Sequence, residues 1–129
     1  MPDIEEVRER FSHDRFATEN GAVIDEIGEG YAVCSMELEN RHRNAMGDVM
    51  GGAIFTLADF AFAVASNWNK SPHVSLDSQI AFLGKTKGQR LIATASCIKE
   101  GRTTCFYEVT IKDELDNKVA YVTTNGFSV

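Results

Sequence analysis

The sequence has 129 residues, of which 43% are hydrophobic and 25% charged, and a formal net charge of −6 at pH 7. That length and hydrophobic fraction suit one globular domain, which we place over the whole chain, residues 1–129. The negative charge argues against nucleic acid as a partner, because phosphate backbones attract basic surfaces. A small anionic ligand stays possible, since it needs only a local basic patch.

The first residues show no basic flank followed by an apolar run, so we expect no signal peptide. The longest apolar stretch, residues 53–65, contains Asp59 and is too short to span a bilayer. These features predict a cytoplasmic protein with no membrane partner.

Three cysteines, Cys34, Cys97 and Cys105, occupy apolar positions of strand-like segments. Their number is odd and their spacing matches no metal site. We therefore expect buried thiols rather than a disulfide, a nucleophile or metal ligands.

The N-terminal segment is predicted to be helical, because Ile4, Val7 and Phe11 share one face and Pro2 suits a first turn. Farther along, apolar and polar residues alternate with the period of two that is typical of strands. The predicted strands span residues 22–27, 31–39, 73–83, 91–98, 104–112 and 119–127.

Two of these strands carry specific expectations about which residues share a face. In the second, alternate residues from Ala32 to Leu38 lie on one face and the residues between them on the other, as in a half-buried strand. In the third, four apolar residues are in phase. They are Val74, Leu76, Ile80 and Phe82.

One long apolar helix is predicted from Gly51 to Trp68, and Pro72 lies in the segment that ends it. The order is therefore a short helix, two strands, the long helix and four more strands. Consecutive strands favour an antiparallel sheet, and an apolar helix must be enclosed. The sequence thus predicts an α+β domain in which a curved antiparallel sheet wraps around a central helix.

Asp59 is the only charged residue from Val49 to Asn69. It belongs to a line of small and polar residues opposite the apolar face of the helix. That line comprises Gly52, Thr56, Asp59, Ala63 and Ser66. Two interpretations are open: Asp59 accepts hydrogen bonds and orders an interface, or it is a general base or nucleophile in a water-poor cleft.

The start of the helix offers a second chemical feature. Gly51 and Gly52 allow a ligand to approach the backbone closely, and the first turn of a helix leaves N–H donors free. Such donors can polarise a carbonyl group.

The segment from Asn44 to Ala61, NAMGDVMGGAIFTLADFA, resembles the signature of hot-dog-fold thioesterases of the PaaI type. That signature has an Asn, a Gly, a His-Gly-Gly triplet and a Leu-x-Asp on the central helix. The order of helices and strands is also that of the hot-dog fold, so the resemblance covers nearly the whole chain.

The resemblance implies hydrolysis of an acyl-CoA or similar thioester to a carboxylic acid and free CoA. Asp59 matches the catalytic carboxylate, and Gly51 matches the residue whose N–H polarises the carbonyl. Asn44 matches a residue that positions the carbonyl or the water, and Ser75 resembles a serine that orients the water. No metal is implied, and no cofactor apart from the CoA of the substrate.

The resemblance further implies a homo-oligomer, a dimer or a tetramer, with the cleft between subunits. Beside Gly51 we place Gly52, Met50 and Thr56 in the substrate-binding site. For the acyl group we expect Phe55, Phe62 and Phe82, although packing in the core would explain each of the three equally well. For the CoA phosphates we expect Lys85, Lys87 and Arg102.

One residue departs from the signature, since Met50 stands where the family has His before Gly-Gly. His42 in the same loop is a candidate to take over the role of this missing His.

The Met50 departure favours an alternative function, a non-catalytic acyl-CoA binding or sensing module. A dehydratase of 3-hydroxyacyl thioesters is the least favoured alternative, because no His lies on or beside the helix. A fourth hypothesis is an interaction protein in which Asp59 only orders a dimer interface. The natural acyl group and the choice between base and nucleophile stay open.

Overall fold

The computed structural model describes residues 3–129, so the predicted place of Pro2 in a first turn lies outside the described residues. Three α-helices are present, α1 (Ile4–Phe11), α2 (Arg15–Glu19) and α3 (Gly51–Asn67), with a short 3-10 helix at Asn40–His42. The six strands are β1 (Ala22–Gly28), β2 (Tyr31–Glu37), β3 (His73–Phe82), β4 (Arg90–Glu100), β5 (Thr104–Asp113) and β6 (Lys118–Ser128). Every predicted element is confirmed, whereas α2 and the 3-10 helix were not predicted.

The six strands form one sheet in the order β1-β2-β4-β5-β6-β3, and all neighbours are antiparallel. Helix α3 packs against all six strands, as predicted for a sheet wrapped around a central helix. Nine residues of α3 are buried: Ile54, Leu57, Ala58, Phe60, Ala61, Phe62, Val64, Ala65 and Ser66. The Trp68 ring N–H donates to the Gly28 carbonyl at 2.8 Å and thereby anchors the far end of the helix.

Strand β2 is buried on both faces at its centre, so the predicted alternation is wrong there. Val33 and Ser35 on the second face are covered. At Ser35 the cover is tertiary, since the Arg90 guanidinium, from the neighbouring strand β4, donates to the Ser35 hydroxyl at 3.0 Å. Cys34 and Cys105 are buried as predicted, whereas Cys97 is only half-buried, and all three thiols are free.

Strand β3 forms one edge of the sheet and is exposed over most of its length. A bulge between Ser75 and Asp77 shifts the register, so the predicted phase of its apolar residues does not hold along the whole strand. Val74, Leu76 and Phe82 are all exposed in the single chain.

Candidate active site

Asp59 lies on the side of α3 that faces away from the sheet, in a groove of about 400 Å³ between α3 and α2. Phe55 and Thr56 border the groove from α3, and Asp14 and Phe16 border it from the other wall. None of the described residues donates a hydrogen bond to the Asp59 carboxylate. The carboxylate is therefore open to solvent and to ligands.

Burial in this groove raises the pKa of Asp59, and the negative charge of Asp14 raises it further. Arg15 also borders the groove, but its guanidinium donates to the Glu19 carboxylate at 2.6 Å. A carboxylate with a raised pKa is a stronger base than an ordinary aspartate.

Helix α3 begins without a side-chain cap, at Met50 in an extended conformation with φ −70° and ψ 139°. The N–H groups of Ala53 and Ile54 donate to the Met50 carbonyl at 3.0 and 3.3 Å. Among residues 3–129, the N–H groups of Gly51 and Gly52 have no acceptor. Such free donors at a helix N-terminus, with its partial positive charge, can bind a carbonyl oxygen that gains negative charge.

A first cavity of about 350 Å³, the Arg43 cavity, opens beside Gly51 and is bordered also by Phe82 and Lys85. A Cβ at position 51 would lie 2.9 Å from the Phe82 ring, so the ring approaches this closely because residue 51 is glycine. Lys85 is 3.6 Å from the Asp48 carboxylate. Arg43 donates to the Gly47 carbonyl at 3.2 Å, and no carboxylate in the described chain forms an ion pair with it.

Asn44 shapes the loop before the helix. Its side-chain oxygen accepts from the N–H groups of Met46 and Asp48 at 2.9 and 3.1 Å. Asn44 therefore caps the loop, while its amide NH₂ group finds no acceptor in the part of the chain that the structure describes. That group is available to position a ligand.

His42 does not compensate for Met50. The imidazole is buried, its Nδ1 accepts from the Glu39 N–H at 2.9 Å, and its Nε2 is 2.6 Å from the Asn20 carbonyl, to which it donates. With both ring nitrogens engaged by backbone groups, His42 ties the 3-10 helix to the end of α2. The hypothesis of a compensating His is therefore wrong.

A second cavity of about 290 Å³, the Met50 cavity, is bordered by Met50, Gly52 and Thr56, three of the predicted binding residues. Phe62 does not border any of these spaces. It is buried and packs edge-on against Tyr107, with ring centroids 5.3 Å apart. The expectation that Phe62 lines an acyl pocket is wrong, and Phe62 belongs to the core.

Several predicted residues are not brought together within one chain. Gly51 and Asp59 are eight residues apart on α3, which is about 12 Å along the helix axis. Ser75 lies on the edge strand β3 and borders neither cavity nor the Asp59 groove. Lys87 borders neither cavity, and Arg102 lies near the first residues of β3, at the opposite end from Phe82 and Gly51.

Sequence reasoning missed Asp14, Phe16 and Arg43. Asp14 and Phe16 lie at the start of α2, whose five residues are too short to show a helical period. Arg43 directly precedes Asn44 of the signature segment, and this adjacency was the available signal.

The described residues also bear on two other kinds of feature, metal-binding clusters and membrane-spanning helices. Residues 3–129 contain no group of three or more His, Cys, Asp or Glu side chains that could hold a metal ion. Within the same residues, no helix has the length and apolar character needed to cross a membrane.

Comparison with known proteins shows that this chain belongs to the thioesterase superfamily. Residues 46–120 match the family model described as the thioesterase superfamily. The chain is 32% identical over 111 residues to the acyl-coenzyme A thioesterase PaaI of Escherichia coli, covering 85% of this chain and 79% of that protein. It is 31% identical over 93 residues to human acyl-coenzyme A thioesterase 13, covering 70% of this chain and 66% of that protein.

Solved structures agree with these relatives. The E. coli PaaI structure has a TM-score of 0.85 at 26% identity and covers 98% of this chain and 96% of that chain. A Streptococcus pneumoniae structure, described as a hypothetical thioesterase with coenzyme A, has a TM-score of 0.86 at 26% identity, covering 94% of this chain and 95% of that chain. These likenesses confirm the predicted hot-dog fold.

Proposed function

Because the chain belongs to the thioesterase superfamily and is a thioester hydrolase, we propose that it hydrolyses acyl-CoA with Asp59 as the working carboxylate. The thioester carbonyl oxygen accepts a hydrogen bond from the Gly51 N–H. Asp59 then activates a water molecule or attacks the carbonyl carbon itself, and Asn44 and Ser75 position the water or the carbonyl. The thiolate of CoA leaves without help from a metal ion.

The observation that carries this proposal is that the Asp59 carboxylate faces a groove and has no hydrogen-bond donor among the described residues. It is also the only charged group of α3. A carboxylate that merely ordered its own chain would be occupied by neighbouring donors. The names of the E. coli and human relatives and the CoA bound to the S. pneumoniae protein support the choice of substrate.

The relatives named acyl-coenzyme A thioesterase argue against the alternative of a non-catalytic acyl-CoA binding protein. Met50 is the residue that favours this alternative, since a thioether transfers no proton. Binding of acyl-CoA without release of thiol would support it.

The proposed site needs a second copy of the chain. A thioester carbonyl must lie within hydrogen-bond distance of the Gly51 N–H and close to Asp59, yet these groups are about 12 Å apart along one helix. Two α3 helices side by side and antiparallel bring Gly51 of one copy near Asp59 of the other. We therefore infer a homo-oligomer, a dimer or a tetramer built from such dimers.

The two edges of the sheet differ in a way that supports this assembly. At the β1 edge, the Arg8 guanidinium donates to the Ile24 carbonyl at 2.8 and 3.0 Å, so this carbonyl is already occupied. The β3 edge is exposed and carries the apolar residues Val74 and Leu76. An exposed apolar edge strand is a site of pairing with another strand, and β3 offers more such surface than β1, on which Val23 is the exposed large apolar residue.

Complementation between two inactive variants tests the shared site. Asp59→Asn removes the carboxylate, and Gly51→Pro removes the N–H donor. Proline suits the first position of a helix, and the extended backbone of Met50 suits the residue before a proline. A mixed dimer, purified through two different tags, has one site with both changes and one with neither. We therefore expect about half of the wild-type thiol release per dimer.

Gly51→Ala is the matched control for Gly51→Pro, because it adds the same Cβ against Phe82 and keeps the N–H. It should retain far more activity than the proline variant. Mixed dimers that stay as inactive as either parent would rule out a site shared between copies.

Activity should also respond to pH through Asp59, which must be ionised to act. Because burial and Asp14 raise its pKa, acid should abolish activity at a higher pH than the ordinary aspartate pKa of about 3.9 implies. Asp14→Asn removes the neighbouring negative charge and lowers the pKa of Asp59, so the acidic limb of the kcat/KM profile should move to lower pH. A limb that stays in place or moves upward contradicts this electrostatic coupling.

A further inference from the structure

The Met50 thioether packs against Gly52 in the first turn of α3. A Cβ on Gly52 would lie 3.5 Å from the Met50 methyl carbon and 3.9 Å from its sulfur. Residue 50 has the extended backbone from which Ser, Asp and Asn side chains accept a hydrogen bond from the second or third N–H of a helix. A thioether is a weak acceptor, and Met50 makes no such bond. The side chain therefore occupies the capping position beside the free Gly52 N–H without capping it.

Solvent reaches the sulfur of Met50. This side chain is 47% exposed and Met46 in the same loop is 85% exposed, whereas Met36 is buried in the core with 1% exposure. Met50 borders the Met50 cavity, but Met46 borders neither cavity at this turn. In the proposed dimer, the opening that admits a thioester to the Gly51 N–H also admits hydrogen peroxide, which is far smaller.

Oxidation would change the hydrogen-bonding character of Met50. A sulfur lone pair attacks one oxygen of hydrogen peroxide, so that an S–O bond forms and the O–O bond breaks. The proton on the transferred oxygen goes to the departing hydroxide, which leaves as water. The sulfur is oxidised by two electrons and the peroxide is reduced. The product, methionine sulfoxide, is polar, and dedicated reductases convert it back to methionine.

We propose that Met50 is a reversible oxidation site, and that its sulfoxide oxygen accepts a hydrogen bond from the Gly52 N–H and thereby inhibits thioester hydrolysis. The inhibition rests on the proposed role of the Gly51 N–H as donor to the thioester carbonyl. A capping oxygen at Gly52 places partial negative charge beside the position where the carbonyl oxygen gains negative charge. It also offsets the partial positive charge of the helix N-terminus. The residue that departs from the family signature thus makes hydrolysis responsive to peroxide.

Peroxide treatment of the purified protein tests the inhibition. After the peroxide is removed, thiol release from acyl-CoA is measured, and the fraction of each methionine that carries an added oxygen is measured by peptide mass spectrometry. Loss of one oxyanion donor typically slows catalysis by about 10²–10³-fold. We expect the rate to fall at least about tenfold, in proportion to the fraction of Met50 sulfoxide. A Met50 that takes up no oxygen, or full activity with Met50 oxidised, overturns the proposal.

Two matched variants assign the effect to one sulfur. Leucine is similar to methionine in volume and carries no sulfur, so Met50→Leu removes the oxidisable group with little change of shape. Its rate after peroxide should be within about twofold of its own rate before treatment. Met46→Leu makes the same change in the more exposed loop position and should remain as sensitive as the wild type. Equal sensitivity of Met50→Leu and the wild type would exclude Met50 as the cause.

Reversal separates methionine from cysteine oxidation, which matters because Cys97 is only half-buried. The two methionine sulfoxide reductases, one for each sulfoxide epimer, should restore the activity of the oxidised wild type. Dithiothreitol alone reduces disulfides and sulfenic acids but not sulfoxides, and should restore none. Recovery with dithiothreitol alone would assign the inhibition to a thiol and overturn the proposal.

The cap itself has a readout that is independent of activity. Glycine-selective ¹⁵N labelling gives one amide signal for each of the ten glycines, and Gly52→Ala identifies the Gly52 signal. We expect the Gly52 amide proton to move downfield on oxidation of the wild type, because its N–H gains an acceptor. An unmoved Gly52 signal overturns the cap and leaves the hydrolase in place. A protein that releases no thiol from any acyl-CoA but shows this shift overturns the proposed function and retains the oxidation site.

Discussion

The Asp59→Asn variant should release thiol from acyl-CoA at least about a hundredfold more slowly than the unchanged protein, in line with the 10²–10⁴-fold contribution of general bases. Asparagine keeps the shape of the side chain but neither accepts a proton from water nor attacks a carbonyl. Asp59→Ala should lose as much. Initial rates with short, medium and aromatic acyl-CoA substrates, followed with a thiol-reactive dye, measure the effect.

Stability should not fall in these variants, because the Asp59 carboxylate is bonded to no donor of the described chain and its raised pKa shows that the charged form gains nothing from the fold. Thermal unfolding midpoints at or above that of the wild type provide this control. Asp116→Asn, an exposed aspartate in the turn between β5 and β6, should leave activity unchanged. Equal thiol release by wild-type protein and Asp59→Asn would remove Asp59 from the mechanism.

The largest effect on stability is expected from Asp113, at the end of β5. Its side chain is fully buried, with 0% exposure, and its carboxylate joins two loops. It accepts from the N–H groups of Lys87, Gly88, Leu115 and Asn117 at 2.9 to 3.0 Å. Asp113→Asn places an NH₂ group against these donors, so we expect the free energy of unfolding to fall by about 3–5 kcal/mol.

Urea unfolding measures this loss, with Asp116→Asn as the matched change in the same turn. Asp116 is exposed and pairs only with Lys112 at the surface, so its replacement should cost less than about 1 kcal/mol. A similar cost for both variants would show that the buried hydrogen bonds of Asp113 contribute little.

The stabilisation of the fold by Asp113 should depend on pH, because its hydrogen bonds are made to the ionised carboxylate. Burial alone would raise its pKa, but hydrogen bonds from Asn117, Lys87 and Gly88 hold the pKa well below its usual range. Since the folded pKa is lowered, the stabilisation is complete above the unfolded pKa of about 3.9 and is lost as pH falls toward the folded value. The difference between wild type and Asp113→Asn should therefore shrink below about pH 4.

Local patterns were sufficient to predict the fold. The apolar run from Gly51 to Trp68 has no breaker after its first turn, and Cys105, Tyr107, Val109 and Ile111 alternate cleanly on β5. Such signals are contained within one element. The exposure of β3 could not be predicted from the sequence, because apolar residues such as Val74 and Leu76 are typical of a buried strand. Only the order of the strands in the sheet shows that β3 lies at the edge.

In the candidate site, likewise, only the residues that lie in one local segment could be predicted from the sequence. Asn44, Gly51 and Asp59 lie in one continuous segment with recognisable spacing. The groove wall at Asp14 comes from a helix that precedes α3 by more than thirty residues, so no local pattern connects the two. The engagement of His42 by Asn20 is likewise a tertiary contact, and it decides that this imidazole is structural.

The difference between the two sheet edges limits how far the proposed pairing of sheets can extend. A six-stranded sheet that is receptive only along β3 can join one other sheet, which yields twelve strands with a β1 edge at each end. Arg8 occupies the Ile24 carbonyl at each of those ends, which makes the β1 edge a poorer template for a further chain. In the proposed dimer the sheet therefore ends at twelve strands, and β3 can pair without building an open-ended fibre, whereas a tetramer of such dimers forms through other surfaces.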